Sequence, residues 1–216
     1  MGSLRVRAAA FMGCVLILGA ATSRAAEKPP GPLDDAALIV IDIQAFYFSG
    51  GKMPLVEPEA ASANAARLLA CARAAGRPVI HVQHLPKGVE APDPTGIEAQ
   101  YRIHPDVLPK PGETVVGKHF ANSFRDTELL AILRGLGVHR LVVAGMQTHM
   151  CVEAAVRAAA DLDFEVTVVH DACATRDLSF GGVSVPAAQV HAAALAAMSG
   201  TYADVMSTDE ICEVAP

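Results

Sequence analysis

The sequence predicts an α/β fold, a parallel sheet covered by helices on both faces. Two observations lead there. Short apolar runs at 37–43, 78–83, 114–117, 139–144 and 164–169 alternate with Ala- and Leu-rich stretches of helical spacing, the pattern of strands joined by helical crossovers. The chain has 216 residues, 52% apolar but only 5% aromatic. That is enough for one domain with a sizeable core, built from small aliphatic side chains that let helices pack closely on a sheet.

The first strand, 37–43, ends in Asp42-Ile43-Gln44 and so carries a carboxylate at its C-terminal end. Residues 57–75 form a helix that stops at Gly76, since glycine takes up the left-handed backbone that ends helices. The second strand is 78–83. Residues 85–112, rich in Pro and Gly, read as a long surface excursion, uncommon unless functional. A short third strand at 114–117 precedes a helix capped by Asp126 or Thr127 and running to Gly135. The fourth strand is 139–144, followed by a helix from Cys151 to Asp161. The fifth strand, 164–169, ends in His170-Asp171. Pro186 opens a helix to about Ser199, and 204–206 is a short last strand.

The N-terminus stands apart. Arg5 and Arg7 precede an apolar run from about Ala8 to Ala21, and Ser23-Arg24-Ala25 places small residues three and one before a cleavage point. This is the pattern of a signal peptide, too short for a membrane span. The expectation is a signal peptide over 1–25, cleavage after Ala25, a Pro-rich linker over 26–36 and a folded domain over 37–216, exported to a periplasm or beyond and free of the membrane after cleavage. The formal charge is −6 and becomes more negative once Arg5, Arg7 and Arg24 leave. With no Lys/Arg cluster, nucleic acid is an unsuitable partner. Cys14 leaves with the signal. Cys71, Cys151, Cys173 and Cys212 remain. They are too dispersed to read as a disulfide framework, although an oxidising compartment permits a bridge among Cys71, Cys173 and Cys212.

The most informative stretch is Gly145-Met146-Gln147-Thr148-His149-Met150-Cys151. It places a cysteine on a strand-to-helix turn at the positive end of a helix dipole. That position predicts an exposed thiol of lowered pKa. Asp42, Lys118 and Cys151 all fall at or just past strand C-termini, where parallel sheets bind ligands.

Four motifs carry a family resemblance: Ile39-Val40-Ile41-Asp42-Ile43-Gln44, Gly117-Lys118-His119-Phe120-Ala121-Asn122-Ser123-Phe124, the elbow from Gly145 to Cys151, and Asp171-Ala172-Cys173-Ala174-Thr175-Arg176-Asp177. Over 37–211 the chain resembles the isochorismatase-like cysteine hydrolase superfamily. The resemblance implies a three-layer α-β-α fold with a six-stranded, mostly parallel, Rossmann-like sheet. It also implies an Asp–Lys–Cys triad at Asp42, Lys118 and Cys151, and a cis peptide at Met146–Gln147. The N–H groups of Gln147 and Cys151 then form an oxyanion hole. Homo-oligomers and specificity loops at 44–56, 85–112 and 175–185 are implied as well.

Hydrolysis by a thiol needs a nucleophile, a proton carrier and oxyanion stabilisation. Cys151 attacks a carbonyl to form a thioester, Asp42 moves the proton, and Lys118 offsets the repulsion between thiolate and carboxylate. Isochorismate-cleaving relatives need no cysteine, so Cys151 favours a small-molecule amide, a non-peptide C–N bond. An ester, ureido or imide group is the alternative bond, and a ligand-binding pseudoenzyme the alternative class. A dinucleotide-binding module lacks its Gly-x-Gly-x-x-Gly loop, since Gln44-Ala45-Phe46 follows the first strand. Gln44, Phe46, Phe48, His84, His119 and Asn122 are the pocket candidates. Thr148 steadies the elbow, Cys173 is a buried thiol, and Arg176 pairs with Asp177. The nicotinamidase branch has an Asp-x-His metal motif. Here His81-Val82-Gln83-His84 lacks the carboxylate, and strand residues three apart face opposite ways. Neither metal nor cofactor is expected.

Overall fold

Strict alternation along the first strand sorts its side chains into two separate cores. In β1 (Ala36–Ile41), Leu38 and Val40 enter one hydrophobic cluster, while Ala37, Ile39 and Ile41 enter the other. A strand apolar on both faces must be covered on both. The computed structural model describes residues 31–213, so the expected signal peptide over 1–25 and the first part of the expected linker over 26–36 lie outside the described residues. Of that linker, Leu33 is buried and Arg140 holds the carbonyls of Gly31 and Asp34 at 2.9 and 3.1 Å.

The remaining strands are β2 (Val79–His84), β3 (Thr114–Lys118), β4 (Arg140–Met146), β5 (Glu165–Ala174), a two-stranded hairpin β6 (Leu178–Phe180) and β7 (Val183–Val185), and β8 (Asp204–Met206). Six of them form one sheet in the order β3-β2-β1-β4-β5-β8, every neighbouring pair parallel. Strand order reverses between β1 and β4, which opens a crevice at their carboxyl ends. Helices α1 (Pro58–Ala74) and α5 (Thr208–Glu213) cover one face through Leu68, Leu69 and Ile211. Helices α2 (Leu129–Gly135), α3 (Glu153–Asp161) and α4 (Ala187–Met198) cover the other through Leu129, Leu133, Val156 and Met198. Among the described residues no helix is long and apolar enough to cross a membrane.

Several boundaries depart from the sequence reading, each for a local reason. β1 stops at Ile41 because Asp42 takes a left-handed backbone, φ 52°. Asp126 also has positive φ, so Thr127 is the residue that caps, its Oγ1 accepting from Leu129 N at 3.3 Å. The elbow does not open directly into α3. Gln147 O accepts from both Met150 N and Val152 N, giving a wide π turn over Thr148–Val152 that contains Cys151. β5 runs on to Ala174 through a bulge, as its register with β4 shifts between Val143↔Val168 and Gly145↔Cys173. The excursion 85–112 is pinned rather than loose: Gln83 Nε2 donates to Asp93 O and Tyr101 O at 2.9 and 3.0 Å.

The cysteines answer a question that their spacing left open. Cys71 on α1 and Cys212 on α5 are joined by a disulfide across 141 residues, Cα to Cα 5.8 Å. Spacing in sequence carries no trace of this bridge, because only the return of the C-terminus to α1 brings the thiols together. The same corner holds Asp171 Oδ1, which accepts from both Thr208 N and Thr208 Oγ1 at 2.8 Å and so caps α5.

Two stability outcomes follow. Replacing Cys71 and Cys212 by Ser should lower the unfolding free energy by roughly 2–5 kcal/mol, since a long loop is freed in the unfolded chain; a urea midpoint unmoved from wild type would contradict this. Gly145 has φ 143°, and a Cβ there would collide with the Ile41 backbone. Gly145→Ala should therefore cost more than about 1 kcal/mol, read as a lower urea midpoint.

Candidate active site

Strands β1, β3 and β4 deliver three side chains to the crevice. Asp42 leaves β1 in the left-handed conformation that Asp tolerates better than most residues, and its carboxylate is fully buried. Lys118 ends β3 on the far side of β2, yet is only 1% exposed, its side chain passing over the end of β2 to reach Asp42. Nζ lies 2.7 Å from Asp42 Oδ2. It also donates to Phe120 O at 3.1 Å and to Ala121 O at 3.3 Å. Two carbonyls thus accept from the ammonium and a carboxylate balances its charge, the condition for burying a lysine. The Asp42 contact is an ion pair: among the described residues neither carboxylate oxygen has a well-directed hydrogen bond. Its acceptor capacity stays open beside the thiol.

Cys151 is a free thiol, 4% exposed, in contact with the cavity. The sequence argument expects an exposed thiol of lowered pKa. The structure reverses both. Burial, followed by the charge of Asp42, pushes the Cys151 thiol up to about 12, with Lys118 pulling the other way. Burial also opposes the Lys118 ammonium, but Asp42 and Cys151 outweigh it and hold Lys118 above the ordinary lysine value. Both directions favour a protonated sulfur beside a charged lysine. Desolvation acts on the whole thiolate charge, whereas the dipole of one short turn supplies a fraction of a charge.

The Met146–Gln147 peptide is cis, and among the described residues no backbone acceptor takes the Gln147 N–H. The elbow is tied down from outside: Thr148 Oγ1 lies 2.9 Å from His191 Nδ1, and His149 Nδ1 lies 2.6 Å from Thr175 Oγ1.

Cys151 forms the floor of a cavity of about 220 Å³. Of the pocket candidates, Gln44, Phe46 and His84 line it. Three do not. Phe48 stacks on His104 with ring centroids 3.8 Å apart and is buried in the core, because the tight turn Ala45–Tyr47 turns Phe46 and Tyr47, not Phe48, to the cavity. His119 is exposed and borders a separate cleft with Lys87 and Glu90. Asn122 uses Oδ1 to accept from Phe124 N at 2.9 Å. By holding the carbonyls of Phe120 and Ala121, Lys118 presents Ala121 to the cavity instead. Sequence reasoning missed Tyr47, Met53, Tyr101, Ala121 and Met150. The specificity loops 44–56 and 85–112 contain Tyr47, Met53 and Tyr101, and the quoted motifs contain Ala121 and Met150, but nothing in the sequence singled these residues out.

The 175–185 segment lines no part of this cavity, because it folds on itself as the β6–β7 hairpin. Arg176 does not pair with the Asp177 carboxylate. Asp177 Oδ1 accepts from Ala187 N at 2.7 Å at the start of α4, while Arg176 Nε donates to Gln147 Oε1 at 3.2 Å. Cys173 is a second buried free thiol, also pushed up to about 12 by burial. His81 and His84 part company. His81 Nε2 meets Glu113 Oε2 at 3.0 Å, and Glu113 is held by Arg73 at 2.7 and 2.9 Å. Burial opposes the Glu113 carboxylate, yet Arg73 and the Lys110 N–H bring it down to about 2. Among the described residues no group of three or more His, Cys, Asp and Glu is arranged to hold a metal.

Known proteins resemble this chain in sequence and fold. The Isochorismatase domain model matches residues 36–210. The isochorismatase family protein YddQ of Bacillus subtilis is 48% identical over 177 residues, covering 80% of this chain and 96% of that protein. The ureidoacrylate amidohydrolase RutB of Pseudomonas syringae is 31% identical over 171 residues, covering 64% of this chain and 70% of that protein. The crystal structure of an isochorismatase from Pseudomonas putida superposes with a TM-score of 0.77 at 40% identity, covering 86% of this chain and 94% of that one. With the parallel sheet and the crevice at its switch point, these matches place the chain in the isochorismatase-like hydrolase family.

Proposed function

We propose that the protein is a cysteine hydrolase that cleaves a small-molecule amide through a Cys151 thioester. One observation carries the reading: a buried Asp42–Lys118 pair, 2.7 Å apart, beside a free thiol that meets a cavity. The cleavage of a C–N bond is favoured over an ester by the relative whose name makes it an amidohydrolase.

The raised thiol defines the order of events. Asp42 accepts the Cys151 proton as sulfur attacks the carbonyl carbon, so the thiolate charge passes to the carbonyl oxygen instead of building up on sulfur. The N–H groups of Gln147 and Cys151 receive that oxyanion. Asp42 returns the proton to the leaving nitrogen, the C–N bond breaks and the amine departs. Water then attacks the thioester while Asp42 takes its proton; the acid leaves and the thiol is restored. Lys118 keeps its charge throughout and holds Asp42 in place. We further propose export after cleavage behind Ala25, a reading that the Cys71–Cys212 disulfide supports, since such bonds persist in oxidising compartments.

Cys151→Ala should lower turnover of a hydrolysed amide by at least about 10⁴-fold with an unchanged circular dichroism spectrum. Full activity in that variant would remove the mechanism. A second outcome tests the roles of the pair. Asp42 raises the thiol and Lys118 lowers it. Asp42→Asn should therefore speed alkylation of Cys151 by iodoacetamide at pH 8, followed by peptide mass spectrometry, while abolishing turnover. Lys118→Met should slow alkylation. Opposite signs would show that the pair does not govern the thiol.

A further inference from the structure

Three consecutive elbow side chains are each held by a different part of the fold. Gln147 Oε1 accepts from Arg176 and its Nε2 donates to Met53 Sδ, His149 meets Thr175, and Thr148 meets His191 of α4. The Thr148 contact stands out. Thr148 is fully buried, and among the described residues the His191 ring is the one hydrogen-bond partner of its hydroxyl. A buried hydroxyl that loses its partner must turn to find another. Thr148 directly follows the Gln147 peptide and opens the turn that carries Cys151, so the backbone that would move holds both oxyanion donors. His191 itself is firmly placed. It lies one turn past Ala187, whose N–H is capped by Asp177 Oδ1 at 2.7 Å, and α4 packs against the elbow turn.

His191 also lines a second cavity, of about 400 Å³, together with His170, Asp171, Cys173 and Thr175. It takes no part in the cavity floored by Cys151. Two of the elbow's outer ties, His191 and Thr175, therefore stand in the wall of a space that the reaction does not use. Burial, and then the neighbouring His170, hold the His191 ring below the ordinary histidine range, so a neutral imidazole meets Thr148 at neutral pH. We propose that His191 is a positioning residue of the hydrolase: through Thr148 it fixes the N–H groups of Gln147 and Cys151 that receive the oxyanion, and a free imidazole entering the second cavity can take the place of its ring. The proposal rests on the hydrolase reading above.

The test uses 4-nitrophenyl acetate, an activated ester whose acetyl group would pass through the same Cys151 thioester, with Cys151→Ala as the blank. His191→Ala removes the ring and leaves its space open to the second cavity. It should lower kcat at least about tenfold, the scale of a misplaced oxyanion donor. KM should hold, because His191 does not line the substrate cavity and a contact that acts only in the transition state leaves ground-state binding alone. Millimolar imidazole should return kcat to within about threefold of wild type. Thr148→Val keeps the side-chain volume and removes the hydroxyl. It should lose kcat to the same extent, add nothing further in the double variant, and gain nothing from imidazole. Should His191→Ala fail to fold by circular dichroism, Thr148→Val carries the kcat and KM test alone. A second readout needs no chemistry: amide hydrogen exchange of the peptide spanning 145–152 should quicken in His191→Ala and slow again with imidazole. An unchanged kcat, a loss carried by KM, additive losses in the double variant, or no rescue by imidazole would each overturn the proposal. Exchange that quickens and is restored by imidazole, with no Cys151-dependent turnover in the wild type, would uphold the positioning of the elbow by His191 and count against the hydrolase reading.

Discussion

A buried ion pair between Asp42 and Lys118 is the constraint that the rest of this structure serves. Both side chains are out of water, and removing one partner of such a pair typically costs about 3–5 kcal/mol because the other charge is stranded. The fold meets that demand with backbone from several places. β1 ends in a left-handed turn at Asp42, β3 ends at Lys118, and the segment after β3 bends so that the carbonyls of Phe120 and Ala121 face the ammonium. Thus the loop that contributes Ala121 to the cavity is shaped by the charge beneath it. The pair is an anchor for the crevice as well as chemistry within it.

The same pair acts on the Cys151 thiol from both sides, Asp42 raising it and Lys118 lowering it. At an exposed helix start a thiol ionises readily. Here the sulfur is buried next to a carboxylate, and both effects keep its proton on. A thiol that holds its proton is a poor target for alkylation and oxidation, which follow thiolate character. The stable thiol and the open acceptor of Asp42 are two sides of one arrangement.

Around this centre, polar side chains are used as mortar. Gln44 and Gln83 hold Tyr101 and the 85–112 excursion against the strand ends, Thr148 and His149 tie the elbow to His191 and Thr175, and Arg176 steadies Gln147. A long loop gains a single conformation this way, since each buried amide must find partners and the strand ends supply them. The cavity that results mixes Gln44, Gln147 and His84 with Phe46, Met53 and Met150 and presents a mainly apolar lining. The Cys71–Cys212 bridge and the Asp171 cap fasten α5 over α1.

Much of this was legible in the linear chain. Apolar runs between Ala-rich helical stretches determined the alternating strands and helices, because burial on both faces demands them. Glycine and the turn residues at 145–151 marked the elbow, and Asp42, Lys118 and Cys151 were visible as polar residues at strand ends. What tertiary structure alone decided is everything that depends on distance and desolvation. Only packing makes Lys118 cross β2 to Asp42, joins two cysteines 141 residues apart, turns Tyr47 and Tyr101 inward while Phe48 and His119 turn away, and raises the Cys151 thiol that its position on the turn would lower. Sequence records which groups stand at the ends of strands, but a charge's cost and a proton's place depend on how much water the folded chain leaves around them.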